Sequence, residues 1–176
     1  LQNRHRRLRA NLPLLRRLVR AALAQMPGLT GYEVGIRLVD AAQMTAANRR
    51  FLRRAGPTDV IAFDYSAAPA PRSGAAGLHG DLLICLDVAQ EHAKQFRTSG
   101  ASELARYVVH GLLHLRGYDD ADAPSRQAMK RAEDRLVRWL ARRFPLRELV
   151  LERKLARTCK RKAAKPQSRK DESCGA

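Results

Sequence analysis

Cysteine is scarce in this 176-residue chain: Cys85, Cys159 and Cys174 are the only three, and no two form a CxxC pair. A disulfide-stapled scaffold is therefore not expected, and the pattern suits a reducing compartment. Long apolar runs are missing too. None approaches the roughly 20 residues that cross a bilayer. The opening stretch LQNRHRRLRA leads into an amphipathic segment with no cleavable apolar region, so neither a span nor a signal peptide is expected and the reading is cytoplasmic. No internal repeat is visible, and acids are few: 17 Asp+Glu stand against 34 Lys+Arg, a net charge of +17. A field of that sign favours RNA, DNA or an anionic membrane surface as partner. What is present is a 45% hydrophobic share, enough at this length for one core and not two.

The order of elements is readable from periodicity. NLPLLRRLVRAALAQMPG is a helix with one apolar stripe, Pro13 in its first turn and Pro27-Gly28 beyond its end. Tyr32, Val34, Ile36 and Leu38 alternate as a half-buried strand, AAQMTAANRRFL returns to helical character, and VIAFDY is a second strand after the turn residues Gly56-Pro57-Thr58-Asp59. SAAPAPRSGAAGLHG has no period and reads as a mobile loop. DLLICLDV reads as a strand covered on both faces, followed by a helix from near Val88. Ser102 is a candidate cap for the helix ELARYVVHGLLHL, which Gly117 ends, and Pro124-Ser125 opens a last helix with Met129, Ala132, Leu136 and Leu140 on its inner face. Residues 153–170 hold nine Lys/Arg and no acid. The expectation is a domain over 1–152 and a basic, disordered tail over 153–176. The tail does not account for all the charge, because residues 1–152 still carry +10.

The chemistry concentrates in HGLLHLRGYDD, residues 110–120. Residues four apart share a helical face, so His110 and His114 can reach one ion. Gly117 permits a sharp reversal that can present Asp120 as a third ligand, with Asp119 and Asp122 as rivals. Three protein ligands leave a position open for water, the mark of a catalytic rather than a closed structural site. Two imidazoles in an otherwise apolar helix would be costly to bury without a partner. A zinc peptidase would read H-E-x-x-H, and Gly111 stands where its base would be.

That stretch closely resembles the H-G-x-L-H-L-x-G-Y-D-H motif of the YbeY family, metal-dependent endoribonucleases of ribosomal RNA maturation. NRRFLRRAGPTDVIAF is similar to the family's N-x-x-(Y/F)-R…P-T-D-V-L-S-F segment, and GDLLIC to its G-D-I-x-I-C strand. Met129 and Glu133 fall where the family's closing helix carries similar residues. The resemblance covers roughly residues 30–145. It implies a single α/β domain with a small mixed β-sheet packed by helices, its metal site on a central helix and the following loop in a metzincin-like manner.

By that resemblance His110 and His114 bind one Zn²⁺, and Asp120 occupies the place of the family's third histidine. The family's arginine falls on Leu52, with Arg53 and Arg54 adjacent as candidate catalytic residues, and Ala62 replaces a serine. Two neutral imidazoles and one carboxylate leave a zinc site at +1 rather than +2, which makes its water a weaker acid and widens tolerance toward Mn or Fe. The implied function is single-strand-specific endonucleolytic cleavage of RNA in 16S rRNA 3′-end maturation and ribosome quality control. Its partners would be 16S rRNA and the small ribosomal subunit, with no membrane. Arg53, Arg54 and Arg106 would contact phosphates, and the tail would add non-specific RNA contacts. The competing classes are a ribosome- or RNA-binding factor with a structural metal, a non-haem iron oxygenase with the same ligand set, and a metallopeptidase-like hydrolase.

Overall fold

The computed structural model describes residues 1–66 and 76–152. The element order is β1 (Gln2–Asn3), β2 (Leu8–Ala10), α1 (Leu12–Ala24), β3 (Leu29–Val39), α2 (Ala41–Ala47), β4 (Val60–Asp64), β5 (Ala76–Cys85), α3 (Leu86–Gln95), α4 (Gly100–Leu115), α5 (Ala123–Ala141) and β6 (Val150–Glu152). Four strands form a mixed sheet in the order β1-β3-β5-β4, with β1 and β5 parallel to β3 and β4 antiparallel to β5. A separate antiparallel pair joins β2 to β6, so the two ends of the described chain are tied to each other. The result is the single α/β domain expected.

The sheet is covered unequally. On one face Ile36, Leu38, Leu82 and Ile84 pack against α1, α4 and α5, with Leu15, Leu18, Leu104, Leu112 and Leu140 fully buried. Each such leucine contributes roughly 1.5–3 kcal/mol on leaving water. On the other face a smaller cluster, Val39, Met44, Ile61, Cys85 and Val88, is covered at the C-terminal ends of β3 and β5 and the start of β4. Helix α2 begins there with a reciprocal cap: the Asp40 carboxylate accepts from Gln43 N–H at 2.9 Å, and the Gln43 side chain accepts from Asp40 N–H at 3.2 Å.

Several boundaries differ from the sequence expectation. The helical reading of AAQMTAANRRFL holds only to Ala47, after which Asn48–Leu52 widen into a π-helical turn closed by Arg53 at φ 54°. The strand DLLIC ends at Cys85 and α3 starts at once with Leu86. Only the C-terminal part of β5 is covered on both faces, since His79 is exposed. Ala76–Gly80, read as loop, pair with β3, while residues 67–75 of that loop and the tail from 153 lie outside the described residues. The cap of α4 is Ser99, whose side chain accepts from Ser102 N–H at 3.1 Å. Tyr32 is exposed and stands outside the buried alternation.

Helix α4 is buried nearly all round. Its one line of partly open positions is Ser102, Arg106, His110 and His114, a stripe spaced by four residues. Gly111 sets how close the helix lies to the sheet. A Cβ there would meet Leu82 side-chain carbons at 2.8 and 2.9 Å and Val60 at 3.1 Å. Position 111 therefore faces the sheet, and a peptidase glutamate would not fit in that place.

Candidate metal centre

The last turn of α4 ends in a hydrogen-bonded reversal. Gly117, at φ 84°, donates its N–H to the His114 carbonyl at 2.9 Å, and Tyr118 donates to the Leu113 carbonyl at 3.1 Å. This is the glycine-dependent Schellman end. The reversed chain places the Tyr118 carbonyl 3.1 Å from His114 Nδ1 and brings Asp120 alongside. One ligand atom from each of His110, His114 and Asp120 lies within 4.8 Å of the other two.

The rival aspartates are otherwise engaged. Asp119 accepts from the N–H groups of Asp120 and Ala121, at 2.7 and 3.1 Å. Asp122 caps α5, accepting from Ser125 N–H and hydroxyl at 2.8 Å each. These bonds, the backbone one first, hold the Asp122 carboxyl below its ordinary range. Arg126 fastens the loop by donating to the carbonyls of Asp120 and Ala121.

The imidazole tautomers follow from their partners. His114 Nδ1 faces a carbonyl, which can only accept, so it carries the proton. His110 Nδ1 lies 2.9 Å from the Glu133 carboxylate and likewise donates. In both neutral rings this leaves a bare lone pair on Nε2, and the two Nε2 atoms face each other at 3.1 Å. Two lone pairs in contact repel unless a cation or a proton lies between them. The donor set fits a metal ion, and the bonds behind each ring are the outer-shell partners that orient metal-binding histidines.

Glu133 was not legible as part of the site. It is buried on the inner stripe of α5, with Oε2 on His110 and Oε1 paired with Arg106. Burial alone would raise its pKa, but the bonds from His110 and Arg106 outweigh it and hold the carboxyl below the ordinary glutamate range. Burial likewise opposes charge on His110, yet Glu133, with Asp59 and Asp120 farther off, raises its pKa. The signal available in the sequence was an acid at a position whose helical neighbours, Met129, Ala132, Leu136 and Leu140, are all core.

Arg106 is corrected from its expected role. Its guanidinium is held by Glu133 and by Asp134 at 2.9 Å, with Glu103 at 4.0 Å, so it braces α4 against α5 and is not free for phosphate. A cleft of about 270 Å³ beside the histidines is walled by Leu52, Val60, Ala62 and Asp64. Leu52 thus lines this cleft, whereas Arg53 and Arg54 are exposed on the turn outside its wall. Asp59 both sets the entry of β4 and lines a cavity. Its carboxylate accepts from Thr58 hydroxyl and Val60 N–H at 3.0 and 2.9 Å, and the residue also lines the cavity on the far side of His110.

Fold and cluster together define a small α/β protein with a three-donor candidate metal centre at a helix end. The chain belongs to the endoribonuclease YbeY family, whose family model matches residues 2–141. Among similar proteins, the endoribonuclease YbeY of Elusimicrobium minutum is 39% identical over 120 residues, covering 68% of this chain and 81% of that one. That of Salinibacter ruber is 41% identical over 102 residues, 57% of this chain and 65% of the other. That of Anaeromyxobacter sp. (strain Fw109-5) is 38% identical over 138 residues, 78% and 69% respectively. The solution structure of TM1509 from Thermotoga maritima aligns with a TM-score of 0.44 and 20% identity, over 73% of this chain and 77% of that one. No helix among the described residues is long and apolar enough to cross a membrane.

Proposed function

We propose that this protein is a metal-dependent endoribonuclease that cleaves single-stranded RNA, with 16S rRNA 3′-end maturation and quality control of the small ribosomal subunit as its setting. Family membership supports the nuclease activity. The observation that carries the metal dependence is the approach of the two Nε2 atoms to 3.1 Å, with each Nδ1 facing an acceptor and the Asp120 carboxylate alongside.

His110, His114 and Asp120 would hold the ion, with zinc the first choice and Mn or Fe tolerated through the oxygen ligand. When bound, it supplies acidification of water and charge neutralisation on phosphoryl oxygens. Glu133 keeps the His110 proton on Nδ1, and the Tyr118 carbonyl does the same for His114. Arg53 and Arg54, beside the cleft wall, would hold the RNA backbone through salt-sensitive contacts. Residues 153–176, with nine bases and two acids, would add a sequence-independent attraction.

Elemental analysis and an RNA cleavage assay of wild type and His114→Ala test this reading. Wild type should hold close to one metal per chain and cut single-stranded RNA, with the variant losing both. Equal metal content in the two proteins would remove this site from consideration. Metal retention without metal-dependent turnover in wild type would favour an RNA-binding factor with a structural ion.

A further inference from the structure

Among the described residues, the face of the sheet opposite the main core is only partly covered. Helix α2 and Val88 close its upper end, but below them a groove of about 290 Å³ stays open, lined by Arg37, Phe51, Phe63, Tyr65, Asp81 and Leu83 among others. The chain has nine aromatic residues in all, and two of them stand here more than half exposed: Phe51 at 54% and Tyr65 at 51%. Phe63 packs on Phe51, with ring centroids 5.1 Å apart in an edge-to-face contact. Exposed rings gathered in one place mark a binding surface more often than scattered ones do.

The exposed charge on the turn beside the rings is all positive. Arg49, Arg50, Arg53 and Arg54 are all exposed on the adjoining turn, and among the described residues none of them makes an ion pair. Arg50 lies over the Phe51 ring, 5.3 Å from its centroid. Facing them, Asp81 is occupied by Arg37 and the Tyr65 hydroxyl, at 3.5 and 3.3 Å, which leaves Asp64 as the nearest open acid on the strand. The turn is also fixed in place. Buried Asn48 donates from its side chain to the Gly56 carbonyl at 2.7 Å, and its own carbonyl accepts from Arg54 N–H at 3.4 Å.

The groove and the candidate metal centre lie on opposite faces of β4, the edge strand of the sheet. Phe51 lines the aromatic groove and Leu52 lines the histidine cleft. Strand β4 has the same division, Phe63 facing one and Val60 and Ala62 the other. We propose that Phe51 and Tyr65, supported by Phe63 and flanked by the arginines of the 49–54 turn, form a stacking platform for unpaired RNA bases across the edge strand β4 from the His110–His114 cluster. The proposal rests on RNA being the substrate, as read above. Flat rings among unpaired guanidiniums suit bases on a phosphate backbone, whereas an apolar protein partner would bury four charges without compensation. In a duplex the bases are stacked on one another and cannot reach the rings, so the platform is a physical source of single-strand preference.

The test is fluorescence anisotropy with the full metal-loaded chain. The probe is a cleavage-resistant 2′-O-methyl phosphorothioate oligoadenylate of about ten nucleotides, compared with an abasic strand of the same length and charge and with a duplex. Because the probe is not cut, the result stands apart from whether the protein is a nuclease. Wild type should favour the oligoadenylate over the abasic strand and the duplex by about tenfold. Phe51→Ala and Tyr65→Ala should each weaken oligoadenylate binding about fivefold or more and leave abasic binding unchanged, with Tyr65→Phe restoring it. Arg50→Ala should weaken both strands equally and flatten the salt dependence. Oligoadenylate affinity unchanged in both ring variants, as a protein-docking face would give, overturns the platform. So does an equal loss on the abasic strand.

Discussion

His110 and His114 share one face of α4, yet they are held by partners of different kinds. His110 looks inward to a buried carboxylate that is itself clamped by Arg106. His114 looks outward to the backbone carbonyl of Tyr118 on an exposed turn. The inner ring is oriented by a side chain that one substitution can remove. The outer ring is oriented by the path of the chain, which depends on Gly117 adopting φ 84°. The same proton placement is reached in both. One side of the centre is built into the core, and the other follows from a turn.

The largest effect should come from the loop side. Asp120→Ala should lower metal affinity beyond the roughly 10–100-fold typical of an outer-shell partner, while Asp120→His should retain metal and favour zinc. Competition titration with a zinc chelator measures both. Asp120→Ala binding as wild type would mean that the loop gives no ligand and the contrast between the two sides is empty.

The inner side should respond less in metal and more in stability. Glu133→Gln keeps an acceptor for His110 but loses its charge, and should weaken metal binding about 10–100-fold. Glu133→Ala strips Arg106 and His110 of a buried partner and should cost about 2–3 kcal/mol in urea unfolding. A Glu133→Ala protein as stable as wild type would show that the α4–α5 brace is carried by Asp134 alone.

The smallest effect should come from Asp122, which is close in sequence but bonded to the N-terminus of α5. Asp122→Ala should leave metal content unchanged and lower the unfolding midpoint slightly. Its carboxyl pKa is depressed, so its contribution is present above the ordinary aspartate range and is lost as pH falls through the depressed value. The melting difference between wild type and variant should therefore close in acid. Loss of metal in Asp122→Ala would reassign the third ligand.

The regular elements were legible wherever a run of apolar residues kept one period. The stripe of α1 and the inner face of α5 are buried as read. The errors fall where a neighbour, not a period, decides. Ala76–Gly80 looked like loop because alanine and glycine give no alternation, yet β3 alongside supplies their ladder. The short strands β2 and β6 exist only because they meet each other across the whole chain. Arg106 and Arg53 are the same residue type, and only packing makes one a brace and leaves the other exposed on a turn.

The sequence by itself determined the face that carries the candidate metal centre. Spacing by four on an apolar helix puts His110 and His114 together whatever the rest of the chain does, and Gly117 ends the helix at the point needed to turn back. Tertiary structure decided that Asp120 reaches both histidines, because the loop must turn back on α4 to bring its carboxylate there, whereas the bonds that occupy Asp119 and Asp122 are local to the loop and the first turn of α5. It also decided the role of Glu133. A carboxylate on a core stripe meets the candidate metal centre only when another helix brings His110 and Arg106 to it, and that approach is a long-range contact that no local period encodes.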